Sequence, residues 1–467
     1  MSDALPARRP RIGARGGARA GGPVDRTGPA VREREQRREE RREEGAASRR
    51  TPARQKATAL NRERHQADYG ILVIVVALTA VGILMVYSSS AMKSYIANDD
   101  TLAIVGPQIG WAALGIVAMA GLMRVDYRYL RFVSMVGLAF AIGALVLVLV
   151  LPVTGPVRAI SVGGSARWLQ IGPLPAVHPA EIAKLAMVVY LAHWFAKRGT
   201  RIKGFWSGTI PFLVILAPIV ALVFKEPDLG TTMVIALTGV TMFFLAGGRL
   251  LHLMIMGIGA LIALVAVGLH DYQLTRIRTW LDPWSDPLRT GFHTIQGLLA
   301  LGLGGLLGAG LGESRLAGGL FLPNASNDYI FAIIGEEFGL IGAGIVILLF
   351  VGLAYSGIRV SLSAPDTFGA LLAAGITAWL CIQAFINIGV VVALIPVTGI
   401  TLPFISAGGS SLTISLAAVG ILLSISRETV ERGTWNDAAA DRRGRDGRAY
   451  LPGSRRGALA SRSTERA

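Results

Sequence analysis

The sequence contains a single cysteine, Cys381, which lies within an apolar stretch. One cysteine excludes an intrachain disulfide and any metal site built from several thiolates. The six histidines show no HExxH or paired zinc-ligand spacing, and no GxSxG nucleophile elbow is present. The glycine-rich stretch LGLGGLLGAGLG lacks the terminal Lys-Ser/Thr of a phosphate-binding loop. These absences exclude zinc-peptidase, serine-hydrolase and P-loop nucleotidase chemistry.

Charged residues are also scarce. They make up 16% of the 467 residues, against 52% hydrophobic residues, and the mean hydropathy is +0.53. A soluble protein of this length needs far more polar surface to cover its core. Apolar runs of roughly 18 or more residues recur, and each can cross the hydrocarbon layer of about 30 Å as a helix. The composition therefore predicts an all-α polytopic membrane protein.

The basic residues are concentrated in the two tails. Residues 1–66 carry a net charge of +9 and residues 427–467 a net charge of +4, out of +16 for the chain. Such flanks favour a cytoplasmic location and attraction to anionic lipid. No stacking motif or fold signature supports a nucleic-acid partner. Residues 1–66 lack an apolar segment, so we expect no cleavable signal peptide. We predict disordered cytoplasmic tails over 1–66 and 428–467.

Between the tails, residues 67–427 are predicted to form a membrane domain of about ten spans. Lys and Arg fall mainly in every second connection, as expected if both termini are cytoplasmic. The connection between spans seven and eight, residues 270–328, is long, glycine-rich and extracytoplasmic, which favours a functional lid or re-entrant element. The predicted spans are 69–88, 104–123, 130–151, 179–196, 208–224, 230–247, 250–269, 329–355, 367–393 and 408–426.

Ionisable residues near membrane depth are costly and indicate function by default. Glu181 and Lys184 share one helical face just after Pro179, and a neutral structural pair is as good an interpretation as a functional one. In the segment KEPDLGTT, Asp228 is interpreted first as the cap of the next helix. Glu226 or Lys225 in the same segment can face a polar cavity.

The long connection carries the richest group of ionisable residues, in RIRTWLDPWSDPLRTGFHTIQ. Two Asp-Pro steps favour extended or turn geometry, which exposes the carboxylates of Asp282 and Asp286. The physics of the loop does not choose between these two residues, and an ordinary solvated loop is the alternative. The basic residues of the segment are Arg276, Arg278, Arg289 and His293.

A further acidic group follows the long connection, in LPNASNDYIFAIIGEEFG. Asp328 lies at the mouth of a predicted span. Glu336 and Glu337 lie two turns deeper and point in different directions, so we expect one of them to face a polar interior. A buried pairing role and a catalytic role are equally good interpretations there.

Six ordered segments together resemble the FtsW/RodA family of SEDS proteins, over roughly residues 69–427. They are MVYSSSA, ARWLQIG with HPAEIAKLA, EPDLGTT, DPLRTGFHTIQGLLALGLGG, DYIFAIIGEEFGLIG and PVTGITLPFISAGGSSL. The fifth and sixth segments are more similar to the septal FtsW branch. The sequence departs from the family pattern at His178, Ala180, Arg289, Phe292 and Ala407.

The resemblance implies that the chain polymerises lipid II, a disaccharide-pentapeptide on undecaprenyl pyrophosphate, at the outer membrane face with inversion. Asp286 matches the family's essential loop aspartate, and a carboxylate there can serve as general base. Cations must stabilise the pyrophosphate leaving group. A divalent cation such as Mg²⁺ or Mn²⁺ is a candidate cofactor without assigned ligands. The candidate substrate and pyrophosphate contacts are Arg167, Glu181, Lys184, Arg276, Arg278, Arg289, His293, Gln296, Asp328, Glu337, Ser410 and Ser411.

The resemblance also implies partners and a location. We expect a class B penicillin-binding protein transpeptidase and other divisome proteins as partners, at the division septum of the bacterial cytoplasmic membrane. Three alternatives stay open. An elongation-type polymerase would act away from the septum, a lipid II flippase would show inverted repeats and paired broken helices, and a scaffold would depend on its basic tails.

Overall fold

The computed structural model describes residues 67–428, apart from residues 153, 163–164, 174, 268–270, 319–320 and 323. The predicted tail domains lie outside the described residues. One antiparallel pair of strands accompanies the helices. The elements are α1 (Tyr69–Asn98), α2 (Val105–Arg124), α3 (Leu130–Val150), β1 (Val157–Val162), β2 (Ser165–Ile171), α4 (Pro179–Arg198), α5 (Ile210–Lys225), α6 (Leu229–Leu245), α7 (Leu250–Val267), α8 (Asp271–Leu281), α9 (Phe292–Gly304), α10 (Arg315–Gly318), α11 (Ile330–Ser363), α12 (Thr367–Val391) and α13 (Gly409–Ser426).

Each of the ten predicted spans coincides with one of these helices. Among the described residues, seven helices are long and apolar enough to cross a membrane, namely α1, α2, α3, α5, α11, α12 and α13. Helix α4 carries several charged residues, and α6 and the apolar part of α7 are shorter. The helical architecture agrees with the prediction, while the count of ten spans and their sidedness stay predictions.

The helix starts follow from local sequence chemistry. Pro179 occupies the first turn of α4, where its missing N–H costs nothing, and Glu181 lies in the same turn. Asp228 caps α6, as predicted, by accepting a hydrogen bond from the Thr231 amide at 2.9 Å. Asp366 caps α12 in the same way through the Gly369 amide at 3.3 Å.

A β-hairpin between α3 and α4 was not predicted. Strands β1 and β2 pair with Val157 opposite Ile171, and Leu169 also bridges to Val177 just before α4. The hairpin therefore connects directly to the segment that begins α4, and it adds a small sheet to a fold expected to be purely helical.

The connection between α7 and α11 contains ordered helices, and α9 packs closely on α11. A Cβ atom at Gly304 would lie 1.8 Å from the Gly335 carbonyl oxygen, and one at Gly308 would lie 2.2 Å from that of Glu337. The glycines of LGLGGLLGAGLG thus permit backbone contact between α9 and α11. Helix α11 is interrupted at Gly339, whose φ is 66°. Beyond this break, the Leu340 amide donates to the Gly305 carbonyl at 2.9 Å.

Helices α12 and α13 form the centre of the bundle. Helix α13 packs along α2 and is buried over most of its length, while α12 contacts α4, α6 and α11. Residues 392–408 join the end of α12 to the start of α13. They form no regular secondary structure, and most of them are buried or half-buried. The N–H and C=O groups of irregular backbone inside a membrane protein need hydrogen-bond partners from other protein groups. The side chains that supply these partners form much of the candidate site.

Candidate active site

Glu181 and Lys184 form a buried ion pair near the start of α4. The Lys184 ammonium lies 2.8 Å from one Glu181 oxygen and 2.9 Å from the other, and it donates to Gln383 Oε1 at 2.7 Å. Trp379, one turn earlier on α12, donates to the same Gln383 oxygen at 3.0 Å, and its ring lies 5.3 Å from the ammonium. Lys184 is only 2% exposed. Its ammonium makes two hydrogen bonds to buried protein acceptors, Glu181 Oε1 and Gln383 Oε1.

Gln383 extends this network to α13. Its amide donates to the Thr401 carbonyl at 3.0 Å, and the Thr401 hydroxyl lies 3.2 Å from that of Ser411. Ser410 accepts a hydrogen bond from the His178 amide at 3.3 Å. The two serines at the start of α13 therefore link the start of α4 to the irregular segment before α13.

The turn before α13 is itself held by a polar side chain of α2. Gln108 donates to the Ser406 carbonyl at 3.1 Å and accepts from the Gly408 amide at 3.2 Å. The Ser406 hydroxyl donates to the Asn327 carbonyl at 2.5 Å. These bonds position Ser410 and Ser411 relative to the residues that precede α11.

Arg167 on β2 binds the turn between α5 and α6. Its guanidinium donates to the Glu226 carbonyl at 3.0 Å and to the Pro227 carbonyl at 2.7 Å. His178 lies 3.7 Å from the Asp228 carboxylate and packs edge-on against Trp168 of the hairpin. The hairpin thus connects the EPDLGTT turn to the start of α4.

Burial sets the proton affinities of this region. The pKa of Glu226 is raised to about 8, because burial and the nearby Asp228 carboxylate disfavour its ionised form more than Arg167 favours it. Burial also lowers the pKa of His178, although Asp228 acts in the opposite direction. Glu226 is therefore largely protonated at neutral pH, and His178 is neutral.

A second cluster surrounds Asp328. Arg276 of α8 donates to the Val397 carbonyl at 2.7 Å, and Asn387 of α12 donates to the Asp328 carbonyl at 2.9 Å and the Ile400 carbonyl at 2.8 Å. Burial raises the pKa of Asp328 to about 6, with Arg276 opposing the shift. Residues 397–401 therefore contact both clusters, since Thr401 receives the bond from Gln383.

Asp286 lies beyond α8 on an exposed turn. Its φ of −144° and ψ of 71° lie outside the helical region, which the following proline disfavours. One carboxylate oxygen, Oδ2, accepts long hydrogen bonds from the Thr290 amide at 3.3 Å and the Thr290 hydroxyl at 3.2 Å. The other oxygen, Oδ1, makes no hydrogen bond with any described residue. The turn brings the backbone of Gly291 close to Pro283. Glycine permits this approach, because a Cβ at position 291 would lie 1.9 Å from the Pro283 carbonyl oxygen.

Asp282 has a different local role. Its side chain caps the short 3₁₀ turn Pro283–Ser285 by accepting from the Trp284 amide at 3.1 Å. Trp280 anchors the end of α8 by donating to the Ala393 carbonyl at 2.8 Å. Asp282 Oδ1 thus caps a turn and Asp286 Oδ2 is held by Thr290, while the second oxygen of each carboxylate makes no hydrogen bond with a described residue.

The remaining candidates near Asp286 divide by exposure. Arg278 and Arg289 are exposed and make no hydrogen bond or ion pair with the residues that the structure describes. His293 and Gln296 lie half-buried on α9, where His293 faces the Tyr329 ring at 6.1 Å between centroids. The two arginines are the cations that remain available for a ligand beside the Asp286 turn.

The two glutamates of α11 hold different partners, as their sequence spacing predicted. Glu337 accepts from the Ser88 hydroxyl of α1 at 2.5 Å. Glu336 accepts from the Ser314 hydroxyl at 2.6 Å and the Arg315 amide at 2.8 Å. Both carboxylates are buried, and Glu336 fastens the end of the long connection to α11.

The described residues do not offer a resident metal site. No group of three or more His, Cys, Asp or Glu side chains among them is placed to hold an ion. The donor set of the described residues therefore does not fit a protein-held divalent cation.

Several residues that complete these clusters escaped the sequence predictions, namely Gln108, Trp379, Gln383, Asn387 and Thr401. A signal existed for two of them. Gln383 and Asn387 lie four residues apart in an otherwise apolar span, which places two amides on one helical face at membrane depth.

Known proteins with similar sequences and folds place the chain in a family. The family model described as "Cell cycle protein", for FtsW, RodA and SpoVE, matches residues 69–431. The Stage V sporulation protein E of Bacillus subtilis is 42% identical over 79% of this chain and 99% of that protein. A protein of Geobacter metallireducens named probable peptidoglycan glycosyltransferase FtsW is 40% identical over 78% of this chain and 96% of that protein.

Solved structures agree with these relatives. A chain from a structure described as "structural coordination of polymerization and crosslinking by a peptidoglycan synthase complex" aligns with a TM-score of 0.63 and 26% identity, covering 78% of this chain and 99% of that one. The Thermus thermophilus rod shape determining protein RodA aligns with a TM-score of 0.57 and 25% identity, covering 78% and 98%. The resemblance in the six sequence segments is thereby confirmed, and the chain belongs to the FtsW/RodA/SpoVE family of polytopic membrane proteins.

Proposed function

We propose that this protein is a peptidoglycan glycosyltransferase that polymerises lipid II at the outer face of the cytoplasmic membrane, with Asp286 as general base. The observation that carries the proposal is the Asp286 turn, whose half-exposed carboxylate keeps one oxygen free of described hydrogen bonds. Its position matches the loop aspartate of a family whose relatives are named for this activity. A base must offer an available lone pair to the proton that it removes.

The reaction is a single displacement. The acceptor sugar hydroxyl attacks the anomeric carbon of the donor, and its proton passes to Asp286 Oδ1. The bond from the anomeric carbon to the pyrophosphate oxygen breaks, and its electron pair leaves with undecaprenyl pyrophosphate. Because attack and departure occur on opposite faces, an α-linked donor gives a β-linked strand. The leaving group already carries negative charge, so cations are more useful to it than a strong acid.

Arg278 and Arg289 are the best candidates for that stabilisation. They flank Asp286 in the sequence, and both are exposed. Lys184 and Arg167, by contrast, already donate to protein oxygens. We assign Lys184 and Arg167 to shaping the site, and the two exposed arginines to binding pyrophosphate. A divalent cation, if the reaction uses one, would enter with the substrate's pyrophosphate.

The septal location, the cytoplasmic termini and the protein partners belong to the same proposal. Support comes from the FtsW names of relatives and from a structural neighbour that comes from a complex coordinating polymerisation with crosslinking. A class B penicillin-binding protein is the expected partner, together with divisome proteins. A flippase is less well supported, because transporters of that kind typically contain paired broken helices. Helix α11 is broken at Gly339, but α5, which contains Pro218, remains one helix and does not supply the partner.

The test is a lipid II polymerisation assay with purified protein and two matched variants. Asp286→Asn keeps the side-chain shape but removes the base, and it should lower the polymerisation rate by about 10²–10⁴-fold. Asp282→Asn is the control, because asparagine also caps a helical turn, and it should retain most activity. Equal thermal stability of the three proteins establishes folding. Normal polymerisation by Asp286→Asn would refute the assignment.

A further inference from the structure

A cavity of about 400 Å³ lies at the far end of α4 and α12 from the candidate active site. It is lined by Arg131, His193, Ala196, Lys197, Asp366, Thr367 and Phe368. Lys184 and Lys197 are 13 residues apart on the same helix, which corresponds to roughly 20 Å along its axis. The cavity therefore belongs to a different part of the molecule from the glutamate–lysine network.

One wall of the cavity is organised by Arg131. Its guanidinium pairs with Asp366 and lies 4.7 Å over the Phe368 ring. Tyr127 also donates to Asp366 at 2.5 Å, and His193 Nδ1 lies 2.9 Å from the Arg131 carbonyl. These contacts hold the arginine side chain in one place. Its Nε–H is nonetheless buried without a hydrogen-bond acceptor among the described residues.

Two other residues that line the cavity offer side-chain donors without a partner among the described residues. Lys197 and Thr367 are exposed and make no hydrogen bond or ion pair with the described part of the chain. Thr367 begins α12, a helix of 25 residues whose N-terminal end carries partial positive charge. With Arg131 and Lys197 set against Asp366 alone, the cavity has an excess of positive charge and suits an anion.

An apolar stripe runs along α3 from the level of Arg131. Phe132, Val136 and Phe140 follow at four-residue spacing and are 80%, 71% and 65% exposed. Such a stripe on a spanning helix faces acyl chains. The basic cavity and the stripe together provide the two surfaces that a phospholipid needs, one for its headgroup and one for its tails.

We propose that the cavity binds the phosphodiester headgroup of an anionic bilayer phospholipid. The Lys197 ammonium and the Thr367 hydroxyl are the donors, the Arg131 guanidinium adds positive charge, and the acyl chains lie along Phe132 and Val136. Basic pockets between helix ends are a common form of lipid site. This site is separate from glycosyl transfer and does not depend on the proposed function.

The experiment measures lipid binding to the purified full-length protein by native mass spectrometry. The probes are dioctanoyl-phosphatidylglycerol and, as the zwitterionic control, dioctanoyl-phosphatidylcholine. Lys197→Ala should weaken phosphatidylglycerol binding about five-fold, the effect of one lysine near an anionic headgroup. Lys203→Ala is the matched control, since Lys203 is an exposed lysine on the neighbouring turn that does not line the cavity, and its effect should stay below about two-fold.

Three results would overturn the proposal. An equal loss in Lys197→Ala and Lys203→Ala would indicate general attraction to basic residues. Equal affinity for phosphatidylcholine would remove the role of headgroup charge. Competition by glycerol phosphate at the concentration of the lipid would show that a free phosphate ester, and not a phospholipid, is the ligand.

Discussion

Removal of the Lys184 ammonium is the most informative perturbation of the bundle centre. Lys184→Met keeps the approximate volume of the side chain but leaves the Glu181 carboxylate, which is 7% exposed, without its cation. Removing one partner of a buried ion pair costs about 3–5 kcal/mol in free energy of unfolding, because the other charge stays buried and uncompensated. We expect a loss of that size.

The double variant separates this penalty from the loss of packing. In Lys184→Met with Glu181→Gln, neither charge remains, and the Gln383 oxygen still accepts from Trp379. The double variant should therefore be at least about 2 kcal/mol more stable than Lys184→Met alone. Such a result would assign the cost to an uncompensated carboxylate.

The assay is unfolding of the purified protein in mixed micelles with increasing dodecyl sulfate, followed by tryptophan fluorescence. Lys197→Met on the same helix is the control, because Lys197 is exposed and unpaired within the described residues, and it should change stability by less than about 0.5 kcal/mol. The single variant Glu181→Gln completes the set. If the double variant loses as much stability as Lys184→Met and Glu181→Gln lose together, the two charges are not coupled and the prediction is refuted.

Two further predictions concern backbone packing and pH. Gly304→Ala should lower the free energy of unfolding by about 1–3 kcal/mol, because its methyl group would overlap the Gly335 carbonyl. Gly302→Ala is the control and should be tolerated, because a Cβ there meets no atom within 4 Å. Equal stability of the two variants in the micelle assay would contradict the α9–α11 packing. Glu226 has a pKa of about 8 in the folded protein against its ordinary 4.5, so its folded form binds more protons and stability should fall as pH rises from about 4.5 to 8. Glu226→Gln should flatten that decline in unfolding midpoints measured from pH 5 to 8, and unchanged slopes would refute it.

Much of the helical framework could be predicted from sequence because single residues start the helices. Pro179 and Asp228 begin α4 and α6 through chemistry that depends only on nearby residues. The hairpin could not be predicted in the same way. Its stability depends on pairing between β1 and β2 and on the bridge from Leu169 to Val177. No short sequence pattern in this connection predicts those contacts.

The candidate site was only partly predictable, for a related reason. The spacing of Glu181 and Lys184 indicated a pair, but the capture of the ammonium by Gln383 requires α4 and α12 to lie side by side. Asp282 and Asp286 are equivalent in loop physics, and the structure leaves them so, because each uses one carboxylate oxygen in a local turn and leaves the other without a described partner. Contacts between elements distant in sequence decide which polar group is free.

The irregular segment before α13 explains how these distant parts act together. Four of its backbone carbonyls, at Ala393, Val397, Ile400 and Thr401, accept hydrogen bonds from side chains of α8 and α12. These bonds satisfy backbone groups that could not remain unpaired at membrane depth.

Because the α8 donors, Trp280 and Arg276, directly precede the Asp286 turn, the same bonds fix where that turn begins. The α12 donor Gln383 also holds Lys184, so the buried ion pair and the Asp286 turn are anchored on one stretch of chain. A side chain such as Gln383 can therefore affect glycosyl transfer without touching the substrate, through the carbonyls that set the register of the segment.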